Sequence, residues 1–160
     1  MKPLPAALAL ALAAGPVLSA DADSATPHPF SIRDLVMMDR VSDPQLSPDG
    51  RYALFSVRAT EYAANKGVSS IYVVDLNKPP QPVMVVEKGS SPRWAPDGKA
   101  IYYTAPQEGT AQVWRRPFDM DASRKNLSLS IRAGEPVTNA PLDVNAFKLS
   151  PDGSKLLLSY

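Results

Sequence analysis

One six-residue phrase recurs three times along this chain, and a recurring phrase restricts the fold more than any single motif. It reads Gln45-Leu46-Ser47-Pro48-Asp49-Gly50, then Arg93-Trp94-Ala95-Pro96-Asp97-Gly98, then Lys148-Leu149-Ser150-Pro151-Asp152-Gly153. Each copy opens on a polar and an apolar residue and ends on [Ser/Ala]-Pro-Asp-Gly. The four-residue core begins at Ser47, Ala95 and Ser150, spacings of 48 and 55 residues. A period of this length belongs to propellers and repeat arrays. Each copy is followed by a hydrophobic run, over residues 52–57, 100–105 and 156–160.

The phrase is a turn with a mechanism. Proline presets φ near −65°, aspartate bonds back to nearby backbone, and glycine takes the positive-φ corner. These features predict a three-residue hairpin loop with a bulge, capped by the serine hydroxyl where serine comes first. In the runs that follow, Ala53, Phe55 and Val57 oppose Tyr52, Leu54 and Ser56. Ile101, Tyr103 and Ala105 likewise oppose Ala100, Tyr102 and Thr104, and Leu156, Leu158 and Tyr160 oppose Lys155, Leu157 and Ser159. Both faces are largely apolar at mid-strand, as in sheets covered on both sides. Further strands are expected over 70–74, 83–86, 112–115 and 127–132, with turns at Asp75-Leu76-Asn77 and Pro79-Pro80. About four strands per period is the arithmetic of a propeller blade. Ahead of the strands, Ser31 with Asp34 forms a variant capping box. Ile32, Leu35 and Val36 share a helical face that ends at Asp39-Arg40, so a short helix is expected to lay its apolar side on the sheet edge.

The N-terminus reads as a leader. Lys2 supplies a basic start, residues 4–14 an apolar Ala/Leu stretch, and Gly15-Pro16 a break. Cleavage is expected after Ala22 or Ala20, so residues 1–22 are a signal peptide and 23–160 the mature chain, exported to the periplasm or outside the cell. The apolar stretch is too short for a stable membrane anchor. The 160 residues hold no cysteine, which excludes disulfides, thiolate metal sites and a cysteine nucleophile. With 17 Lys+Arg against 16 Asp+Glu the charge is balanced, and no basic face for a nucleic-acid partner is expected.

The stretch Asp34-Leu35 with residues 40–50, the hairpin around Asn65-Lys66 and residues 70–76, and the pieces Gln112-Val113-Trp114 and 134–138 resemble secreted peptidases of the prolyl oligopeptidase family. The branch they resemble most is the dipeptidyl-peptidase V and acylaminoacyl-peptidase group. The resemblance covers roughly residues 30–160. It implies an N-terminal propeller capping an α/β-hydrolase domain, a Ser-Asp-His triad on that second domain, short peptides as substrates, and a propeller that restricts their entry. This sequence itself carries no Gly-x-Ser-x-Gly elbow among its eight glycines, and its one histidine is His28. No catalytic residue is therefore assigned to it, and no cofactor or metal site. Ser-Pro-Asp-Gly repeats also occur in exported propellers such as that of the Tol system. A non-enzymatic binding or scaffold module of the envelope is the alternative.

Several residues invite sharper readings. His28 lies between two prolines in the leader and reads as solvated. Asp49, Asp97 and Asp152 read as turn residues and not as a calcium cluster. Glu61, Glu87, Glu108 and Glu135 are candidates for holding a substrate amine, against a plainer reading as solvated loop acids. Trp94 replaces Leu46 and Leu149 in the repeat and is expected in the core, while Trp114 could stack on a ligand. Arg115-Arg116 and Arg124-Lys125 read as solvated basic pairs. The expected fold is all-β, a partial β-propeller of about two and a half blades after a short helix. Its catalytic domain lies outside these residues, and its open strand edges predict poor solubility of the mature chain alone.

Overall fold

The computed structural model describes residues 29–126 and 133–160. The signal-peptide reading with its cleavage sites, His28, and the strand expected over 127–132 lie outside the described residues. Among the described residues from Ser31 onward, antiparallel strands predominate, an all-β arrangement with two short α-helices.

The first helix, α1 (Ile32–Met37), starts where its cap predicts. Asp34 N–H donates to Ser31 Oγ at 3.3 Å, and Ser31 N–H donates to Asp34 Oδ2 at 2.7 Å. Its expected packing is corrected. No residue of α1 is buried, and Ile32 and Leu35 are 82% and 54% exposed. Six residues make under two turns, and the contact to the sheet side runs through a cation, Arg33 over the Tyr62 ring at 4.9 Å.

Two four-stranded meanders follow. The first comprises β1 (Arg40–Leu46), β2 (Tyr52–Glu61), β3 (Lys66–Asp75) and β4 (Val83–Val86), paired in that order. The second comprises β5 (Ser90–Trp94), β6 (Ala100–Gln107), β7 (Thr110–Pro117) and β8 (Glu135–Pro136). A third sheet holds β9 (Ala146–Leu149) and β10 (Leu156–Ser159). None of the sheets is closed.

The repeated phrase makes the first turn of each sheet. Gly50, Gly98 and Gly153 sit at φ +69°, +70° and +71°. Their N–H groups donate to the carbonyls of Ser47, Ala95 and Ser150 at 2.8–2.9 Å. The loop is one residue longer than expected, because Ser47 N–H closes on the Tyr52 carbonyl (2.9 Å) and Ser150 N–H on that of Lys155 (2.9 Å). The reason is local. Gly50 already occupies the Ser47 carbonyl, so Tyr52 N–H donates to Ser47 Oγ instead, at 2.9 Å. Lys155 N–H repeats this on Ser150 Oγ at 2.9 Å.

A second recurrence lies four residues ahead of the turn in two copies. Asp43 and Ser91 hold φ +53° and +52° where the β1–β2 and β5–β6 registers slip, and each precedes a proline, Pro44 or Pro92. These are β-bulges.

The main core lies between the first two sheets. Tyr52, Leu54, Ile71, Val73, Val85 and Val86 face Trp94, Ile101, Tyr103 and Phe118, all buried. Phe118 meets both Tyr52 (5.5 Å, 72°) and Trp94 (4.9 Å, 83°) edge to face, a preferred aromatic geometry. Trp94 thus sits in the core, as its place in the repeat implies. Helix α2 (Met120–Lys125), absent from the sequence expectation, is capped by Asp119, whose Oδ1 accepts from Asp121 and Ala122 N–H. Its Ser123 is fully buried and donates to the Tyr52 hydroxyl at 2.6 Å.

A smaller core of Val113, Val144 and Phe147 joins the second sheet to the third. Gln112, 1% exposed, fastens the connecting segment. Its Oε1 accepts from Thr138 Oγ1 (2.8 Å) and Ala140 N–H (2.9 Å), and its Nε2 donates to the Ala140 carbonyl (3.0 Å). Two-sided cover holds for β6, where Ala100, Ile101, Tyr103 and Thr104 are all buried. It fails for β10. Leu157 is 71% exposed, because nothing among the described residues lies against that face.

Gly50 has open space around the position of a Cβ, so a side chain there costs backbone conformation alone. Gly50→Ala is expected to lower stability by about 1–2 kcal/mol, read as an earlier urea midpoint. Gly50→Asn is expected to lose less, because asparagine tolerates the left-handed region.

Candidate functional site

The meander order separates the ends of the sheets. All three Pro-Asp-Gly turns lie at one end. The β2–β3 hairpin end (a 3-10 turn at Tyr62–Ala64), the β6–β7 turn at Glu108-Gly109 and the crossover from β4 to β5 lie at the other. A cleft of about 670 Å³ opens at that second end, lined by residues 59–61, 66–69, 87–90, 104–106 and 111.

Small residues make room for it. Ala59, Gly67, Ala105 and Ala111 line its walls, and the Arg58 side chain lies in the space that a Cβ on Gly67 would fill. Gly89 is buried in its floor, where a Cβ would come 2.6 Å from Val86 Cγ1 and 3.2 Å from the Tyr103 ring. Beside it Lys88 takes φ +56°, so the crossover is a tight, locally strained bend. Ser90 and Thr104 exchange a hydroxyl contact at 2.9 Å, and Thr104 Oγ1 also donates to the Ser90 carbonyl at 3.1 Å. Four exposed charges stand around the mouth: Glu61, Lys66, Glu87 and Lys88.

Of the four glutamates singled out in the sequence, the structure brings two together, Glu61 and Glu87, at this cleft. Glu108 occupies the adjacent β6–β7 turn at φ +50°. Glu135 lies apart on β8 and pairs with Arg115 at 3.4 Å. Lys66, Gly67 and Lys88 were not anticipated. The one available signal was Gly67 inside a strand, since a strand glycine often marks a close approach.

The other candidates have structural work. Asp49, Asp97 and Asp152 accept backbone N–H bonds from Arg51 (3.1 Å), Lys99 (2.9 Å) and Ser154 (3.1 Å). Among the described residues no group of three or more acidic or histidine side chains could hold a metal ion. Trp114 is half-buried and donates Nε1–H to the Ala105 carbonyl at 3.2 Å. The reading of Arg115-Arg116 as a solvated pair is corrected at Arg116 alone. Arg115 pairs with Glu135, and Arg116 crosses to the first sheet, where Nη1 donates to the Val85 carbonyl. Arg124-Lys125 close α2, and their side chains lie outside the described set.

Two ion pairs brace the sheets that form the cleft. Arg93 on β5 reaches Asp43 on β1 at 2.5 Å, with Gln45 Nε2 on the other Asp43 oxygen at 3.2 Å. Arg51 holds the buried Asp75 at 2.9 Å. The Arg51 hydrogen bond, with Asn77 N–H as a further donor, keeps the Asp75 carboxyl below the usual carboxylate range, against the effect of burial. The exposed Asp152 is held down to about 2 by the hydroxyls of Ser150 and Ser154.

No family model matches the chain. It is 27% identical over 129 residues to the uncharacterized peptidase YuxL of Bacillus subtilis, covering 79% of this chain and 18% of YuxL. It is 33% identical over 88 residues to dipeptidyl-peptidase 5 of Trichophyton equinum, covering 52% of this chain and 12% of that enzyme. Among solved structures it superposes on the acylaminoacyl peptidase of Pyrococcus horikoshii with a TM-score of 0.58 and 22% identity, covering 78% of this chain and 17% of that one. A further match, in fold, is to an isolated propeller. The β-propeller domain of the trilobed protease of Pyrococcus furiosus gives a TM-score of 0.52 at 19% identity, covering 75% of this chain and 33% of that one. In sequence the chain is similar to these peptidases, and in fold it matches the β-propeller regions of the solved ones.

This propeller region thus spans 18% or less of the length of these two curated relatives. Within its cleft the Ser90 hydroxyl meets that of Thr104.

Lowered carboxyl values carry a sign. A carboxyl held down in the folded state contributes stability above its ordinary value, and that contribution is lost as pH falls through the folded value. Asp75→Asn is expected to cost about 1–3 kcal/mol at pH 7 by leaving Arg51 short of its partner. The gap to wild type should narrow as the pH is lowered from about 4. For Asp152 the window runs from 3.8 to about 2. Urea titrations of wild type, Asp75→Asn and Asp152→Asn across pH 2–7 check both.

Proposed function

We propose that this chain is the N-terminal β-propeller segment of an exported serine peptidase that hydrolyses short peptides. In this reading β1–β4 and β5–β8 are two blades and β9–β10 the first half of a third, about two and a half blades within residues 23–160. Residues 1–22 are the signal peptide that directs the protein to the periplasm or the outside. The serine, aspartate and histidine of the reaction stand on an α/β-hydrolase domain of the same parent chain, and the propeller restricts which peptides reach it.

The observation that carries this reading is the YuxL alignment. It runs through 79% of this chain yet occupies only 18% of a protein that is a peptidase by name. The sequence supports the same division of labour, because its one histidine and its serines form no elbow or triad pattern.

The test is the product of the whole gene. It is expected to be labelled by a serine-directed fluorophosphonate and to release small fragments from short peptides, while the 160-residue chain alone is neither labelled nor active. A whole-gene product that takes no label and leaves short peptides intact overturns the proposal.

A further inference from the structure

The two four-stranded sheets are repeats, so each shows what the other lacks. In both, the hairpin joining the second and third strands closes on one residue pair, Glu61 with Lys66 and Gln107 with Thr110. The residue after each closing pair is Gly67 in the first sheet and Ala111 in the second. Two residues further on stand Ser69 and Val113. Along an antiparallel strand, backbone groups alternate between the two edges. Leu76 N–H donates to the Arg51 carbonyl and Gly89 N–H to that of Ser69, which fixes the phase. Gly67 and Ser69 therefore point N–H and C=O away from β2, as Ala111 and Val113 point theirs away from β6.

In the second sheet the chain itself fills that edge. The Val113 carbonyl accepts from Val137 N–H at 2.9 Å, and Val113 N–H donates to Thr138 Oγ1 at 2.9 Å. The Ala111 carbonyl accepts from Val144 N–H at 2.8 Å, and Ala111 N–H donates to Asp143 Oδ1 at 2.6 Å. In the first sheet only the Ser69 carbonyl is filled, by Gly89 N–H at 2.9 Å. The crossover then turns away, and no partner among the described residues meets the outward backbone groups of Gly67. They open into the cleft.

We infer that this open edge of β3 at Gly67 takes an extended peptide segment, lying in the cleft as an added strand. Strand addition uses main-chain bonds for affinity, and in the second sheet residues 137–144 fill the equivalent groups with two main-chain and two side-chain bonds. The cleft volume of about 670 Å³ falls within the range of ligand sites. The Arg58 side chain lies over the Gly67 Cβ position, on a sheet face, whereas an added strand would lie along the edge. Two acids and two bases stand at the mouth and the Arg58 guanidinium lies against Gly67, a small positive balance that suits a neutral peptide over a polycation. The facing wall cannot serve in the same way, because Pro106 stands at its edge without an N–H. The inference rests on the peptidase reading for the origin of the peptide and names the contact that would hold it.

The test uses the whole-gene product pretreated with fluorophosphonate, so that the probe is not consumed. The probe is N-acetyl-Ala-Val-Ala-Val-amide, and the control is the same peptide N-methylated at every residue. Amide hydrogen exchange over residues 64–70 is expected to slow on adding the probe. The methylated control is expected to bind about tenfold more weakly, the scale of one lost hydrogen bond. Equal binding of probe and control, exchange unchanged over 64–70, or no binding at millimolar probe overturns the inference. Untreated protein is assayed for cleavage in parallel. Cleavage without protection at Gly67 sinks this contact alone, whereas protection without cleavage sinks the peptidase reading alone.

Discussion

The first two sheets are held face to face by one aromatic joint. Phe118 stands edge-on to both Tyr52 and Trp94, and these rings come from the start of β2, the end of β5 and the residue after β7. Burying three such rings contributes several kcal/mol. The contact between Ser123 and the Tyr52 hydroxyl then docks α2 to the same point, at the Pro-Asp-Gly end. The far end carries no such joint. There the hairpins stand apart over small residues, and the cleft is the space that remains.

Polar ties set the relation between the sheets where apolar contact is thin. Arg93 to Asp43 joins the two first strands, and Arg116 to the Val85 carbonyl joins the later ones. Each spans sheets and not neighbours within a sheet. Such contacts fix orientation more than they add stability, since part-exposed ion pairs are worth little energy. Gln112 does the same toward the third sheet, and it is fully satisfied, which lets a buried amide specify one arrangement.

Much of the fold was legible because it is local. Val83–Val86 appears as the strand its composition suggests, the turn at Asp75-Leu76-Asn77 falls where expected, and each Pro-Asp-Gly glycine takes its left-handed corner. The errors have common causes. The apolar face of α1 follows helical spacing, but spacing does not say whether a partner surface exists, and Ile32 stays in solvent. Helix α2 is a single short capped turn with no apolar period to announce it. Arg116 was read from its neighbour in sequence, although its partner lies 31 residues away. The cleft was half legible. Glu61 and Glu87 were visible as residues, but their meeting depends on a crossover bend that only packing at Gly89 dictates.

The paired bulges at Asp43 and Ser91 decide how the sheets end. β1 and β5 are both outermost strands of their sheets and lie near one another, close enough for Arg93 to reach Asp43. An open strand edge is a template for pairing with another strand. A left-handed kink followed by a proline, which cannot donate, interrupts each edge near its middle. The ladder is broken on both sides of the gap, so the chain keeps two separate sheets that fan from a shared seam.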